Sequence, residues 1–417
     1  MEGNQVELAR LMRERHRYDE AEASLLQHLA QFPDDPEAYC ELALTRMQME
    51  GRDRDSLEAI EKAIGIVPDN AWMLAVKAWI LSSMSRHDKA IAATDEAIRL
   101  DPQCTLAWIA RGRALGGREQ WKSAEEAVRQ ALKIDPDDSE ANNLLSLYLR
   151  LQGRTEEADY YTATMLSRNA EDDVALTNAG WTRLHEGRHR EAEQLFMDAL
   201  RIAPDSEYAR SGIREAYKAR SAFYRLYLRW VFFMQRFRGP TQFIIIIGLY
   251  FGFKFLFRQA ANINPSLGIG LVFLYTLLIF WVWLASGLGH FIILLDRRAR
   301  QSLNRPEKWD GILVGGFFFV GLMLLAGGLA TGTVPLTIFG AGLITAAVPN
   351  SLVCLNENRA GQIIFGLTGI GCMLSACLGV AVSLSGNDPT TAYAFLGINL
   401  VAAMLTTWVG NLSFLRG

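Results

Sequence analysis

Two histidines flank a glutamate in His185-Glu186-Gly187-Arg188-His189. On one continuous helix this H-E-x-x-H spacing would put two imidazoles on a zinc ion, with the carboxylate beside the metal-bound water. Here Gly187 stands at the centre of the string, where a turn between two helices is predicted, and no third ligand follows. The string is read as a solvated turn. Ser286 and His290 lie one helical turn apart in an apolar stretch. A nucleophile–base pair there would need a substrate path and an oxyanion site, so the simpler reading is a histidine hydrogen-bonding a neighbouring helix. Cys40, Cys104, Cys354, Cys372 and Cys377 show no paired spacing, which implies neither a disulfide framework nor a zinc knuckle. No phosphate loop, dinucleotide fingerprint or Cys/His nucleophile set is present. The sequence therefore points away from an enzyme, with no catalytic residue, cofactor or metal expected.

The elements that carry these residues keep a beat of about 34 residues through the first half of the chain. Pro68, Pro102, Pro136 and Pro204 fall on it, with Ala170 in the missing place. Small residues keep the same interval at Ala78, Gly112, Ser146 and Gly180, at Ala90, Ala124, Ala158 and Ala192, and at Ala97, Ala131, Met165 and Ala199. Pro33 and Ala43 come one residue early, as though Glu50-Gly51 carried an insertion. Each interval reads as two amphipathic helices. Small side chains sit where the helices approach, a turn carries Gly153 or Gly187, and proline ends the second helix. Asp101, Asp137, Ser139 and Asp205 offer caps for the following helix.

This pattern resembles the tetratricopeptide repeat. The resemblance covers residues 1–206 as six units, approximately 2–35, 36–70, 71–104, 105–138, 139–172 and 173–206. It implies an α-solenoid with a concave groove that binds a protein or peptide. The inner face of each first helix would supply Trp72, Trp79, Ile109, Arg113, Asn143, Leu147, Asn178 and Trp181 as partner-binding residues. Trp108 holds the repeat's usual core aromatic place. The two-lysine, two-asparagine clamp that some family members use on a C-terminal carboxylate is not evident.

Charge divides the chain. Residues 1–212 hold 26 basic and 39 acidic side chains, whereas 213–240 hold seven basic residues against Glu215 alone. An acidic solenoid repels nucleic acid, and the basic stretch suits a bilayer surface. Taken as one helix, residues 207–240 form a capping and interfacial neck. Arg214, Lys218, Arg225, Arg229 and Arg236 fall within an arc of roughly 60°. Phe223, Leu226, Tyr227, Trp230, Phe233, Met234 and Phe237 lie opposite. Arg214, Lys218, Arg225, Arg229, Trp230 and Arg236 are thus the expected membrane-surface residues, with contact beginning near Phe223 and Gly239-Pro240 ending the helix.

Residues 241–417 contain six apolar stretches, 241–257, 268–294, 311–331, 334–355, 361–384 and 391–414, the first of them short and carrying Lys254. Arg297, Arg298, Arg300, Arg305 and Lys308 lie in one connection, on the same side as the neck, Arg359 and Arg416 if all six cross. The positive-inside tendency then places both termini in the cytoplasm. The opening residues lack an apolar core and cleavage site, so no signal peptide is read there. Within the stretches charge is scarce: Asp296 and Glu357 are expected at cytoplasmic ends and Asp388 in an external loop. Asn350, Asn399 and Asn411 are expected to bond between helices. Small pairs at Gly248/Gly252, Gly311/Gly315, Gly328/Gly332 and Ser375/Gly379 suit a compact bundle or a homo-oligomer equally.

The expected fold is all-α, a tetratricopeptide solenoid followed by a multi-helix transmembrane bundle. The expected role is a membrane-anchored adaptor holding a protein partner at the cytoplasmic face of the inner (plasma) membrane of a bacterium. The alternative is a transporter or channel subunit with a regulatory solenoid.

Overall fold

The structure, a computed structural model, describes residues 3–237, 239–297, 299–354, 356, 358–385 and 389–410. Arg238, Arg298, Glu357, Asp388, Asn411 and Arg416, and the side chain of Phe223, fall outside that description. No strand occurs among the described residues. Helical hairpins open the chain at intervals close to 34 residues: α1 (Gly3–Glu14) with α2 (Tyr18–Gln31), α3 (Pro36–Met47) with α4 (Asp53–Ile66), α5 (Ala71–Ser83) with α6 (His87–Leu100), α7 (Thr105–Gly117) with α8 (Trp121–Ile134), α9 (Ser139–Leu151) with α10 (Thr155–Arg168), and α11 (Asp173–His185) with α12 (His189–Ile202).

Local chemistry repeats with the helices. Asn70, Asp138, Asp172 and Ser206 occupy one repeat position, and each side chain caps the next helix by accepting an amide, from Met73, Ala141, Ala175 and Ala209. Each such cap contributes about 1 kcal/mol. The caps therefore sit one residue away from Asp137, Ser139 and Asp205. Asp101 instead accepts the Gln103 amide at 2.9 Å. The tight reversal inside each hairpin has its own position: Gly51, Ser85, Glu119, Gly153 and Gly187 all have φ between +56° and +81°. Glycine takes this left-handed conformation freely; Ser85 and Glu119 hold it at a steric cost. Where the two helices of a unit touch, Gly112 leaves no room for a side chain, because a Cβ there would lie 2.5 Å from Val128 Cγ2. Ser146 uses the equivalent place to donate to Ala158 O at 3.1 Å.

The beat continues past its expected end. Residues 207–240 are not one interfacial helix: α13 (Glu207–Lys218) and α14 (Ala222–Gln235) form a seventh hairpin, with Ser206 as its cap. Ala209 stays in register with Ala107, Ala141 and Ala175, all fully buried.

The chain divides into two compact units. The first comprises Met1–Glu186, Asp198–Pro204 and Phe232–Arg238. Its core runs through successive hairpins, from Val6, Leu25 and Ile60 to Val128, Leu145 and Leu149. Residues at the end of α14 belong to it: Trp121 Nε1 donates to Gln235 O at 3.0 Å, and the His185 ring stacks on Phe232 at 3.6 Å between centroids.

The second unit comprises Gly187–Met197, Asp205–Val231 and Gly239–Gly417. Its apolar helices are α15 (Gly239–Ile263), α16 (Pro265–Leu295), α17 (Arg305–Asp310) running through a π turn (Gly311–Gly315) into α18 (Gly316–Thr331), α19 (Val334–Asn350), α20 (Arg359–Leu384) and α21 (Pro389–Val409). Among the described residues three helices are long and apolar enough to cross a bilayer, at Arg305–Thr331, Arg359–Leu384 and Thr390–Thr407. Large apolar side chains in this unit lie on both sides, with Phe280, Leu284 and Phe365 buried and others outward. Phe255, Met323, Leu367 and Leu374 are mostly exposed, while Gly321, Gly340, Gly342 and Gly369 sit at helix crossings. Large apolar groups left facing outward, with small residues at the crossings, is an arrangement hydrocarbon surroundings permit. Asn399 Nδ2 donates across helices to Cys372 O at 3.0 Å, and Asn350 abuts Gly369. Among the described residues nothing lies within 4 Å of a Cβ built at Gly248 or Gly252.

Candidate functional site

In the first unit the first helices of consecutive hairpins present a stripe at one repeat position: Trp79 on α5, Arg113 on α7, Leu147 on α9 and Trp181 on α11, all half-buried. The Arg113 guanidinium lies 5.3 Å from the Trp79 ring centroid and pairs with Glu140 on the next hairpin. Arg150 stands in the same way over Trp181, at 5.5 Å. A cation held flat on an indole keeps both rigid and leaves aromatic surface for a partner.

A second stripe lies two turns earlier, at Trp72, Leu106, Glu140 and Val174. Trp72 is 44% exposed and Val174 42%. Trp72, Leu106 and Ile109 line a recess of about 650 Å³, and Asp69, Asp101, Asp138 and Glu140 surround them with carboxylates. The recess thus combines an aromatic wall with a negative rim.

Not every expected groove residue is available. Ile109 is 3% exposed and Asn178 is 2% exposed, so both support the groove from beneath. Asn178 Nδ2 donates to Asn143 Oδ1 at 3.2 Å, which fixes α11 against α9. Trp108 is partly buried in the core, and its Nε1 donates to Pro102 O at 3.0 Å.

Family models of the tetratricopeptide repeat match residues 3–45, 73–104, 109–170 and 174–206. The chain is a tetratricopeptide-repeat protein. Among curated relatives, TPR repeat-containing protein PA4667 of Pseudomonas aeruginosa is 27% identical over 161 residues, 38% of this chain. The DnaJ homolog subfamily C member 7 homolog of Schizosaccharomyces pombe is 27% identical over 128 residues, 30% of this chain. Each alignment spans only 27% of the relative's length. Among solved structures, PilW, a type IV pilus biogenesis factor, aligns over 50% of this chain and 97% of its own with 22% identity and a TM-score of 0.43.

The H-E-x-x-H string is split by the repeat itself. His185 ends α11, Gly187 turns at φ +81°, and His189 opens α12. His185 Nε2 accepts a hydrogen bond from Arg150 Nη1 at 3.0 Å. Burial first, then the charges of Arg150 and Arg236, push its pKa down to about 2.

The membrane-surface set needs correction. Arg214 and Lys218 are 8% and 3% exposed, buried by pairing rather than presented to a bilayer. Arg225 Nη1 caps the end of α13, donating to Ala219 O at 2.9 Å and Arg220 O at 3.0 Å. Arg236 is exposed but lies over Gly153, where a Cβ would come within 2.5 Å of its guanidinium. Arg229 is exposed and Trp230 half-buried. The common arc vanishes because residues 219–221 break the helix on which it was drawn.

Charge within the second unit is also denser than the sequence implied. His290 Nδ1 lies 2.7 Å from Asp310 Oδ2, with both side chains buried. Glu307 Oε1 is 3.0 Å from Arg214 Nε. Lys218 Nζ meets Glu215 Oε1 at 2.7 Å, and Tyr224 donates to Glu215 Oε2 at 2.8 Å. Burial opposes ionisation of Glu215, but the Lys218 charge and the two hydrogen bonds outweigh it and hold the carboxyl below its ordinary value. Burial first, and then Glu215, raises Tyr224 well above the phenol range. Asp310 carries the signal the sequence reading missed: an acid at the entry to an apolar stretch, 20 residues from the only histidine in that half.

Proposed function

We propose that this protein is a non-enzymatic, membrane-anchored adaptor that holds a protein segment in its tetratricopeptide groove at the cytoplasmic face of a bacterial inner membrane. The observation that carries this reading is the exposed Trp72 in an acid-rimmed recess, two turns before Trp79 on the same helix. An indole left 44% exposed beside Leu106 is an anchor site for an apolar side chain. The four surrounding carboxylates favour Lys or Arg next to that anchor. The apolar helices of the second unit would keep the captured segment near the bilayer and raise its effective concentration there. Arg229 and Trp230 are the neck residues that remain suited to a headgroup layer.

The test is crosslinked affinity capture of the full-length protein from its own membranes, beside a Trp72→Ala/Trp79→Ala variant. A near-stoichiometric partner that is lost in the variant and weakened by salt supports the adaptor. Recovery of the protein alone, or equal capture by the variant, overturns it. Solute flux that depends on His290 or Asn350 would favour a transporter subunit instead.

A further inference from the structure

We propose that His290 and Asp310 together bind one proton, which closes an electroneutral buried network fastening the seventh hairpin to α16 and α17. The argument is charge conservation inside one compact unit. Four elements face His290 and Asp310 with charged or titratable groups. From α13 come Arg214, Glu215 and Lys218, and from α14 Tyr224. From α17 comes Glu307, with its Oε1 4.0 Å from His290 Nε2. Cys354, after α19, lies near Asp310. The π turn and α19 carry no titratable residue, and α15 meets α16 at Tyr275, about four turns from His290.

Arg214 and Lys218 bring two positive charges, and Glu307 and Glu215 bring two negative ones. Glu207 also reaches Arg214 at 2.5 Å, but its side chain is 66% exposed and solvated by water. The four central charges cancel, so the His290–Asp310 pair must itself be neutral. It is neutral only when it holds one proton beyond an imidazole and a carboxylate, either as imidazolium with carboxylate or as imidazole with carboxylic acid. An uncompensated charge at this depth is strongly unfavourable.

Geometry supports the same count. With the proton present, both arrangements leave hydrogen on His290 Nε2, directed toward the Glu307 carboxylate. Without it, the short bond to Asp310 takes the single imidazole hydrogen, and a lone pair faces Glu307 instead. Among the described residues, buried Asp310 Oδ1 has no hydrogen-bond partner. That is tolerable for the carbonyl oxygen of a carboxylic acid and costly for a carboxylate. The hairpin sits closely enough for this coupling, since a Cβ at Gly289 would lie 2.9 Å from Lys218 Cδ and 3.0 Å from Tyr224 Cε2.

The experiment is amide hydrogen exchange over residues 207–231 in the full-length protein in lipid nanodiscs. It is read from about pH 6 to about pH 9 and corrected for the intrinsic exchange rate. Wild-type protection should hold below about pH 6.5, then fall about tenfold per pH unit while the folded pair keeps a proton that the open state has lost, and level off at the pH where the folded pair loses it. Asp310→Asn needs no proton for neutrality and should give a flat profile. Glu307→Gln removes one carboxylate while keeping an acceptor for the Asn304 amide, so its midpoint should move to lower pH. A flat wild-type profile overturns the proposal. So does Asp310→Asn tracking the wild type, or a midpoint that Glu307→Gln leaves in place. Should Asp310→Asn fail to fold, the Glu307→Gln shift alone decides.

Discussion

Gly340 is the position where the smallest substitution should do most damage to the apolar unit. A Cβ built there lies 2.4 Å from Leu325 N, 2.6 Å from Gly321 O and 2.9 Å from Leu325 Cα. Non-bonded carbon contacts are comfortable near 3.5 Å, so α18 and α19 would have to separate by about 1 Å. All three atoms belong to backbone, and no rotamer change relieves them. Overpacking costs about 1–3 kcal/mol, and a clash with rigid backbone belongs at the upper end. Alanine's better helix propensity returns about 1 kcal/mol. Gly340→Ala should therefore lose about 2 kcal/mol, roughly a thirtyfold fall in the folding constant. Gly327→Ala, on the same helix pair but with nothing within 4 Å, is the control and should be neutral or slightly stabilised. The assay is titration of the full-length protein in bicelles with a denaturing detergent, followed by loss of helicity. If the two variants unfold at the same detergent fraction, backbone contact at Gly340 is not what holds these helices together.

Two further outcomes concern the solenoid. Ser85→Gly and Glu119→Gly should each gain about 0.5–1 kcal/mol by relieving a left-handed residue, whereas Gly51→Ala should lose a similar amount; thermal unfolding of the three variants tests the set. His185 has its pKa pushed down to about 2 by burial, so its contribution is complete above about pH 6.5 and is lost progressively as pH falls from there toward the folded value. The wild type should lose up to about 1.4 kcal/mol per pH unit on the acid side relative to His185→Gln, in paired denaturant melts at falling pH.

The repeat was legible because its chemistry is local. Proline stops, turn glycines and small residues at helix crossings act within one hairpin, so a fixed interval reveals them. The seventh hairpin hid because Arg214 replaces the small residue of Gly180's track, and because Arg and Lys in a run read as surface. Their partners, Glu307 for Arg214 and Glu215 for Lys218, show why that reading fails: a buried cation is recognised by its counter-charge, and one of these lies 93 positions away. Asp310 was invisible for the same reason. The Gly321–Gly340 crossing could not be read either, since spacing along one helix says nothing about which residue of another helix will face it.

Buried ion pairs are poor evidence of stability, because well-packed apolar residues of the same volume often do as well or better. Their use in the second unit is better understood as selection of one arrangement. Tyr217 already packs with Leu294 against Ile293, Ala299 and Leu303, and that apolar contact alone would tolerate several rotations of α13 about its axis. Arg214 meeting Glu307 is satisfied by one rotation only, and Lys218 passing beside Gly289 fixes the same one. By sequence interval the hairpin follows the repeats, and its residues 207–231 group with the apolar helices. Holding α13 and α14 against α16 and α17 within this unit requires a contact that fixes rotation as well as position. An ion network with a single neutral state meets that need, because every misregistered alternative leaves a charge buried and unpaired.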